Sequence, residues 1–143
     1  KGNRVSRNQI MAIKEESVTE QKNSLAVCLD NILRHAGITR NTEYDLAQGK
    51  TATTILSENM TGVQVLDLSG CTLDAVLYYV NQDIPVLAIL EDGEAVLVTG
   101  FNEFNVVIME PATGKLYKKG MNDATAWFAE NGNHFITYMR TEN

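Results

Sequence analysis

From Ser24 onward the apolar positions fall into two periods, and each period predicts its own kind of element. Leu25, Cys28, Leu29, Ile32 and Leu33 recur at the three- and four-residue spacing of one helix face. Ser24 is the expected N-cap, its hydroxyl accepting a bond from a free amide of the first turn. Gly37 is the expected stop, with Arg34 and His35 suiting the last turn. This reading puts Cys28 about one turn inside the helix, on the apolar stripe. Short helices are expected over 42–48, ended by Gly49, and over 51–59, with Ile55 and Leu56 inward. Residues 62–68 alternate as a strand does. Residues 72–81 form a helix capped by Thr72, with Leu73, Val76, Leu77 and Val80 on one face.

After residue 84 the pattern changes. Residues 85–90, 95–101 and 104–109 are short, β-branched, nearly continuous apolar runs separated by Asp92-Gly93 and Asn102. These are expected to be central antiparallel strands with both faces covered. Residues 115–118 fit a polar edge strand. Residues 122–130 fit a helix with Trp127 and Phe128 in the core, stopped by Asn131-Gly132, and 134–139 a final strand. Helices first, then a strand meander with one late helix, predict an α+β fold in which helices pack beside an antiparallel sheet.

The chain has 143 residues, a length that suits one domain with its own core. Residues 1–20 are expected to be an arm or linker, with 1–8 loose and 9–19 a short helix or extended. Residues 21–143 are expected to be a single domain. The net charge of −6 argues against a nucleic-acid partner. Lys1, Arg4, Arg7 and Lys14 precede any acidic residue and read as a solvated tail. No apolar run reaches the roughly 20 residues of a membrane span. This segment shows no signal peptide and starts without Met, and is expected to be a piece of a longer protein. Cys28 and Cys71 lack CxxC partners. They read as free buried thiols, with one disulfide between them left open. No metal site and no cofactor is expected. The Asn59-Met60-Thr61 sequon is a chance match outside a eukaryotic secretory path.

Three segments resemble a known family. Ser24-Leu25-Ala26-Val27-Cys28-Leu29-Asp30-Asn31-Ile32 is similar to Cys-Gly-x-x-Cys-Leu-x-x-Ile. "IPVLAIL" and "EAVLVTG" resemble its Pro-led strand and the strand with a His six residues before a Gly. "EPATG" resembles Asp-Pro-x-x-Gly. The family is that of the papain-like cysteine peptidases that remove double-glycine leaders from bacteriocins, together with looser extracytoplasmic relatives. The resemblance spans about residues 21–140. It implies a papain-like fold, with the nucleophile at the start of the first core helix. At the nucleophile, His and Asp positions this chain has Ser24, Glu94 and Glu110. The oxyanion Gln position is Val18, with Gln21 nearby, three residues before Ser24.

That chemistry needs a thiolate at a helix N-terminus, an imidazole to take and return its proton, and a third group to orient the imidazole. Ser24 is a hydroxyl and needs a stronger base than a thiol does. Glu94 is ionised near neutral pH, so it has no proton for a leaving group. The resemblance therefore implies a degenerate, non-catalytic domain of a larger bacterial protein, extracytoplasmic or in the cell envelope, that binds a peptide or protein. Gln21, Ser24, Glu94 and Glu110 are its possible cleft residues. The two carboxylates would bind a cation or the basic group of a peptide, or stand solvated at strand ends. The alternative is an active cysteine peptidase using Cys28 with an unrecognised base. His35 lies two turns along the same helix, about 10 Å away, and His134 begins the last strand.

Overall fold

The computed structural model describes residues 9–10 and 23–141. The elements in chain order are β1 (Gln9–Ile10), α1 (Ser24–His35), α2 (Glu43–Ala47), α3 (Ala52–Asn59), β2 (Val63–Asp67), α4 (Leu73–Asn81), β3 (Val86–Ile89), β4 (Ala95–Phe101), β5 (Asn105–Glu110), β6 (Lys115–Gly120), α5 (Met121–Glu130) and β7 (His134–Arg140).

The strands form one antiparallel sheet in the order β2-β7-β3-β4-β5-β6. The stretch from β3 to β6 is the meander the sequence implies. The last strand, however, inserts between β2 and β3. β1 adds to β4 where β3 has ended, pairing Gln9 with Phe101 and Ile10 with Gly100, so those two residues take the extended alternative. The rest of the arm lies outside the described residues.

Side chains alternate across the central strands, and both sets are buried. Leu87, Ala95, Leu97, Met109, Ile136 and Tyr138 pack with Cys28, Leu29, Ile32 and Leu33 of α1 and Ile55 and Leu56 of α3. Val86, Ala88, Val96, Val98, Ile108 and Phe135 pack on the other side with Leu73, Val76 and Val80 of α4 and Phe128 of α5. The sheet is thus sandwiched: the helices lie on both faces, where the sequence reading had placed the N-terminal ones beside it. Each fully buried aliphatic side chain contributes about 1.5–3 kcal/mol by leaving water, so neither layer of helices is dispensable. Phe128 contacts Phe135 edge-on across the second core. Trp127 is half-buried beneath the Lys119 ammonium, 4.9 Å from the ring centre.

Helix ends follow local chemistry. α1 closes with Gly37 at φ 88°. Gly37 N–H donates to Arg34 C=O at 2.9 Å and Ile38 N–H to Leu33 C=O at 2.8 Å. This paired C-terminal motif needs the left-handed conformation that Gly adopts freely, and Ile38 follows it onto the core. Thr51 and Thr72 cap α3 and α4 through their hydroxyls. Thr42 instead reaches back to α1: its amide and hydroxyl donate to Asp30 Oδ1 at 2.8 and 2.7 Å. The same loop is fastened by a two-pronged pair, Arg40 Nε and Nη2 donating to the buried Asp45 carboxylate at 2.9 and 3.0 Å.

The Arg40 hydrogen bonds hold the Asp45 carboxyl below the usual range. A depressed folded-state pKa gives stability that is present above the unfolded value and lost as pH falls through the folded one. Arg40→Gln is therefore expected to be less stable than the parent near neutral pH. The gap should close in acid below about pH 4, the unfolded Asp range. Urea unfolding of both proteins across that pH range checks it.

Candidate functional site

The first turn of α1 meets the start of β4. Asn23, rather than Ser24, is the N-cap: its Oδ1 accepts from Leu25 N–H at 2.9 Å and Ala26 N–H at 3.3 Å. Asn and Ser cap about equally well, so the adjacent pair left the boundary uncertain by one residue. Ser24 is the first helical residue, and its hydroxyl is released for another task. Its Oγ accepts from the Ala95 N–H at 2.9 Å. This bond spans 71 residues of sequence and joins the helix N-terminus to the residue after Glu94. Local periodicity carries no signal for it.

Glu94 is exposed at the end of the β3–β4 hairpin. Its amide donates to Asp92 Oδ1 at 2.9 Å, and its carbonyl accepts from Leu90 N–H at 2.8 Å. Asp92 and Gly93, the latter at φ 87°, make the turn that aims the start of β4 at α1. Glu110 is half-buried at the end of β5, the strand beside β4. Its carbonyl accepts from Gly114 N–H at 2.7 Å in the turn into β6. The Glu110 carboxylate is close enough to α1 for its charge to raise the Cys28 pKa. The positions of Ser24, Glu94 and Glu110 thus come to one end of the molecule, where α1, β4 and β5 meet. Gln21 and Val18 lie outside the described residues.

Cys28 is fully buried against this same sheet face. Burial pushes its thiol pKa up, and the Glu110 and Asp30 carboxylates push it further the same way. A thiol that far above neutrality holds almost no thiolate. Cys71 is free and half-buried, so the two cysteines form no disulfide.

Neither histidine reaches Ser24. His35 is at the opposite end of α1, with Nε2 3.1 Å from the Asp83 carbonyl and 3.4 Å from its carboxylate. His134 begins β7. Ile89 pairs with His134 on one side and Ala95 on the other, which sets His134 two strands from Ala95, about 10 Å at ordinary strand spacing. His134 lies on the β2 side of the sheet, near Asp67. Among the described residues no three His, Cys, Asp or Glu side chains gather as a metal site, and no helix is long and apolar enough to cross a membrane.

Two measurements follow from this geometry. Brief treatment of native protein with iodoacetamide, quenched by acid, should modify Cys71 and leave Cys28 intact until denaturant is added; peptide mapping reads both sites. Asn23→Ala should cost about 1 kcal/mol, the usual worth of an N-cap, seen as a lower denaturation midpoint with an unchanged slope.

No protein-family model and no curated protein sequence matches the chain. Its fold does have a counterpart. The chain superposes on the crystal structure of a Bacillus anthracis protein that bears the name C39-like peptidase, with a TM-score of 0.75. The match covers 94% of this chain and 98% of that one, at 12% sequence identity. Identity at that level speaks to the fold alone: this chain has the C39-like form of the papain-type peptidase fold, helices packed on an antiparallel sheet.

Proposed function

We propose that this chain is a peptidase-type domain that no longer cleaves peptides and serves instead by binding one. The observation that carries the reading is the Ser24 Oγ to Ala95 N–H bond. It occupies the meeting point of helix N-terminus and strand start, where the fold brings nucleophile and base together. Here it joins a hydroxyl to a backbone amide, one residue after Glu94 in sequence.

Proton bookkeeping argues the same way. Acyl transfer needs a base that accepts the nucleophile's proton and then returns it to the leaving group. The chain's two histidines, at 35 and 134, are elsewhere, and a carboxylate at neutral pH is charged and unprotonated. Loss of the base alone removes most of a triad's rate advantage. Catalysis by Cys28 would require a fully buried, protonated thiol to reach solvent. The acidic Glu94 and Glu110 at this end suit a basic peptide segment. As the sequence resemblance implies, the domain acts as an accessory module of a larger bacterial protein, outside the cytoplasm or in the envelope.

A mixed peptide library incubated with the protein and followed by mass spectrometry should show no cleavage above a protein-free blank. Cleavage abolished by Ser24→Ala or Cys28→Ala would overturn the reading. On a peptide array, basic peptides should bind at moderate salt. Glu94→Gln combined with Glu110→Gln should weaken them about tenfold, the equivalent of about 1.4 kcal/mol. Binding that is absent, or unchanged in the double variant, would argue against a binding role for this end.

A further inference from the structure

Strand β2 forms an edge of the sheet. It pairs with β7 on one side, and no described strand lies on the other. The bonds to β7 fix which of its backbone groups face outward. Thr141 N–H donates to Gly62 C=O at 2.9 Å, and Leu68 N–H donates to Phe135 C=O at 2.8 Å. Hydrogen-bonded and non-hydrogen-bonded pairs alternate along an antiparallel ladder. The register pairs Val63 with Arg140 and Val65 with Tyr138. Gly62, Gln64, Leu66 and Leu68 therefore turn their amides and carbonyls toward β7, and Val63, Val65 and Asp67 turn theirs to the open side.

A cavity of about 520 Å³ opens at the Val63 end of this edge. His35 and Ile38 at the end of α1, Met60 after α3, Val63, Tyr138 and Arg140 line it. Its exposed lining is more polar than apolar, with Ile38, Met60 and Val63 as the apolar part, and Tyr138 is almost wholly buried. Arg140 is held at the rim, with Nη1 donating to Gln82 C=O at 3.2 Å. In a chain of net charge −6 this is a cationic spot, and His35 beside it faces Asp83 at 3.4 Å. The far end of the edge has the opposite sign. Asp67 is exposed, and the Ser69 hydroxyl and amide bonded to its carboxylate hold its pKa below the usual range.

An unpaired edge with outward amides is a template for an added strand. Its charge runs from positive at Val63 to negative at Asp67, which matches one orientation of peptide. Laid antiparallel to β2, a peptide brings its own C-terminus to the Val63 end. We propose that β2 binds an extended peptide in this way, with the free C-terminal carboxylate at Arg140 and the last side chain in the cavity. Val63 and Val65 each exchange a pair of backbone bonds with it, and a basic residue upstream faces Asp67. This site is at the opposite end of α1 from Ser24 and does not depend on the reading of the α1–β4 end.

The test pans a random heptapeptide library with free C-termini against the full chain. An enriched sequence is then synthesised as the free acid and as the C-terminal amide, and both are titrated by fluorescence anisotropy. The acid is expected to bind at least tenfold more tightly than the amide. Arg140→Gln should lose at least tenfold for the acid and little for the amide, with an unchanged circular dichroism spectrum. In amide-resolved NMR the acid should shift Val63, Val65 and Arg140, and Glu94→Gln should leave its affinity unaltered. No enrichment above a blank surface overturns the proposal. So does binding indifferent to both amidation and Arg140→Gln, or shifts confined to Ser24 and Ala95. A chain that sediments as a dimer and loses its dimer on Val65→Lys would assign the edge to a second copy, and would equally overturn it.

Discussion

Burial of the central strands on both faces is the constraint from which the rest of this structure follows. β4 has apolar side chains on each side, and nearly all of it is inaccessible to solvent. A sheet of that kind cannot be left with one face wet, so helices must cover both. α1 and α3 cover one face, α4 and α5 the other. The apolar stripe of α1 then fixes its rotation, because only one orientation turns Cys28, Leu29, Ile32 and Leu33 inward. That rotation sets the N-terminus of α1 against the start of β4, where Ser24 takes the Ala95 amide.

The same constraint decides the chemistry of Cys28. A thiol on the stripe is drawn into the core with its neighbours, and low polarizability around it disfavours the charged form. The position one turn earlier escapes burial, since the first residue of a helix sits at the rim of the sheet. Ser24 is therefore the residue with access to the strand ends, and its hydroxyl serves as an acceptor that locks helix to strand. Exposure, helix dipole and strand contact are all present at that point. The imidazole and thiol that would turn them into acyl transfer are not in the chain at those positions.

Much of the fold was readable along the chain. The helix stripe at 25–33, the Gly37 stop, the Thr51 and Thr72 caps and the three apolar runs after residue 84 are local patterns, set by local physics. The shift of the α1 cap from Ser24 to Asn23 is a one-residue error between two equally good caps. The place of β7 was not readable. Its run, 134–140, looks like any final strand, and its insertion between β2 and β3 is decided by pairing partners far away in sequence. The covering of both faces was implied by the runs after residue 84, yet which helices would take which face was not.

Sequence by itself determined the kind and order of elements and the burial of Cys28 on an apolar stripe. Each of these depends on spacing or identity within a few residues. Tertiary structure alone decided that Ser24 meets Ala95, that Glu110 acts on the α1 core thiol, that both histidines point to other business, and that β2 is left as an edge beside a cavity. Those facts join residues tens of positions apart. They arise only when the two buried faces of the sheet force every helix into its place.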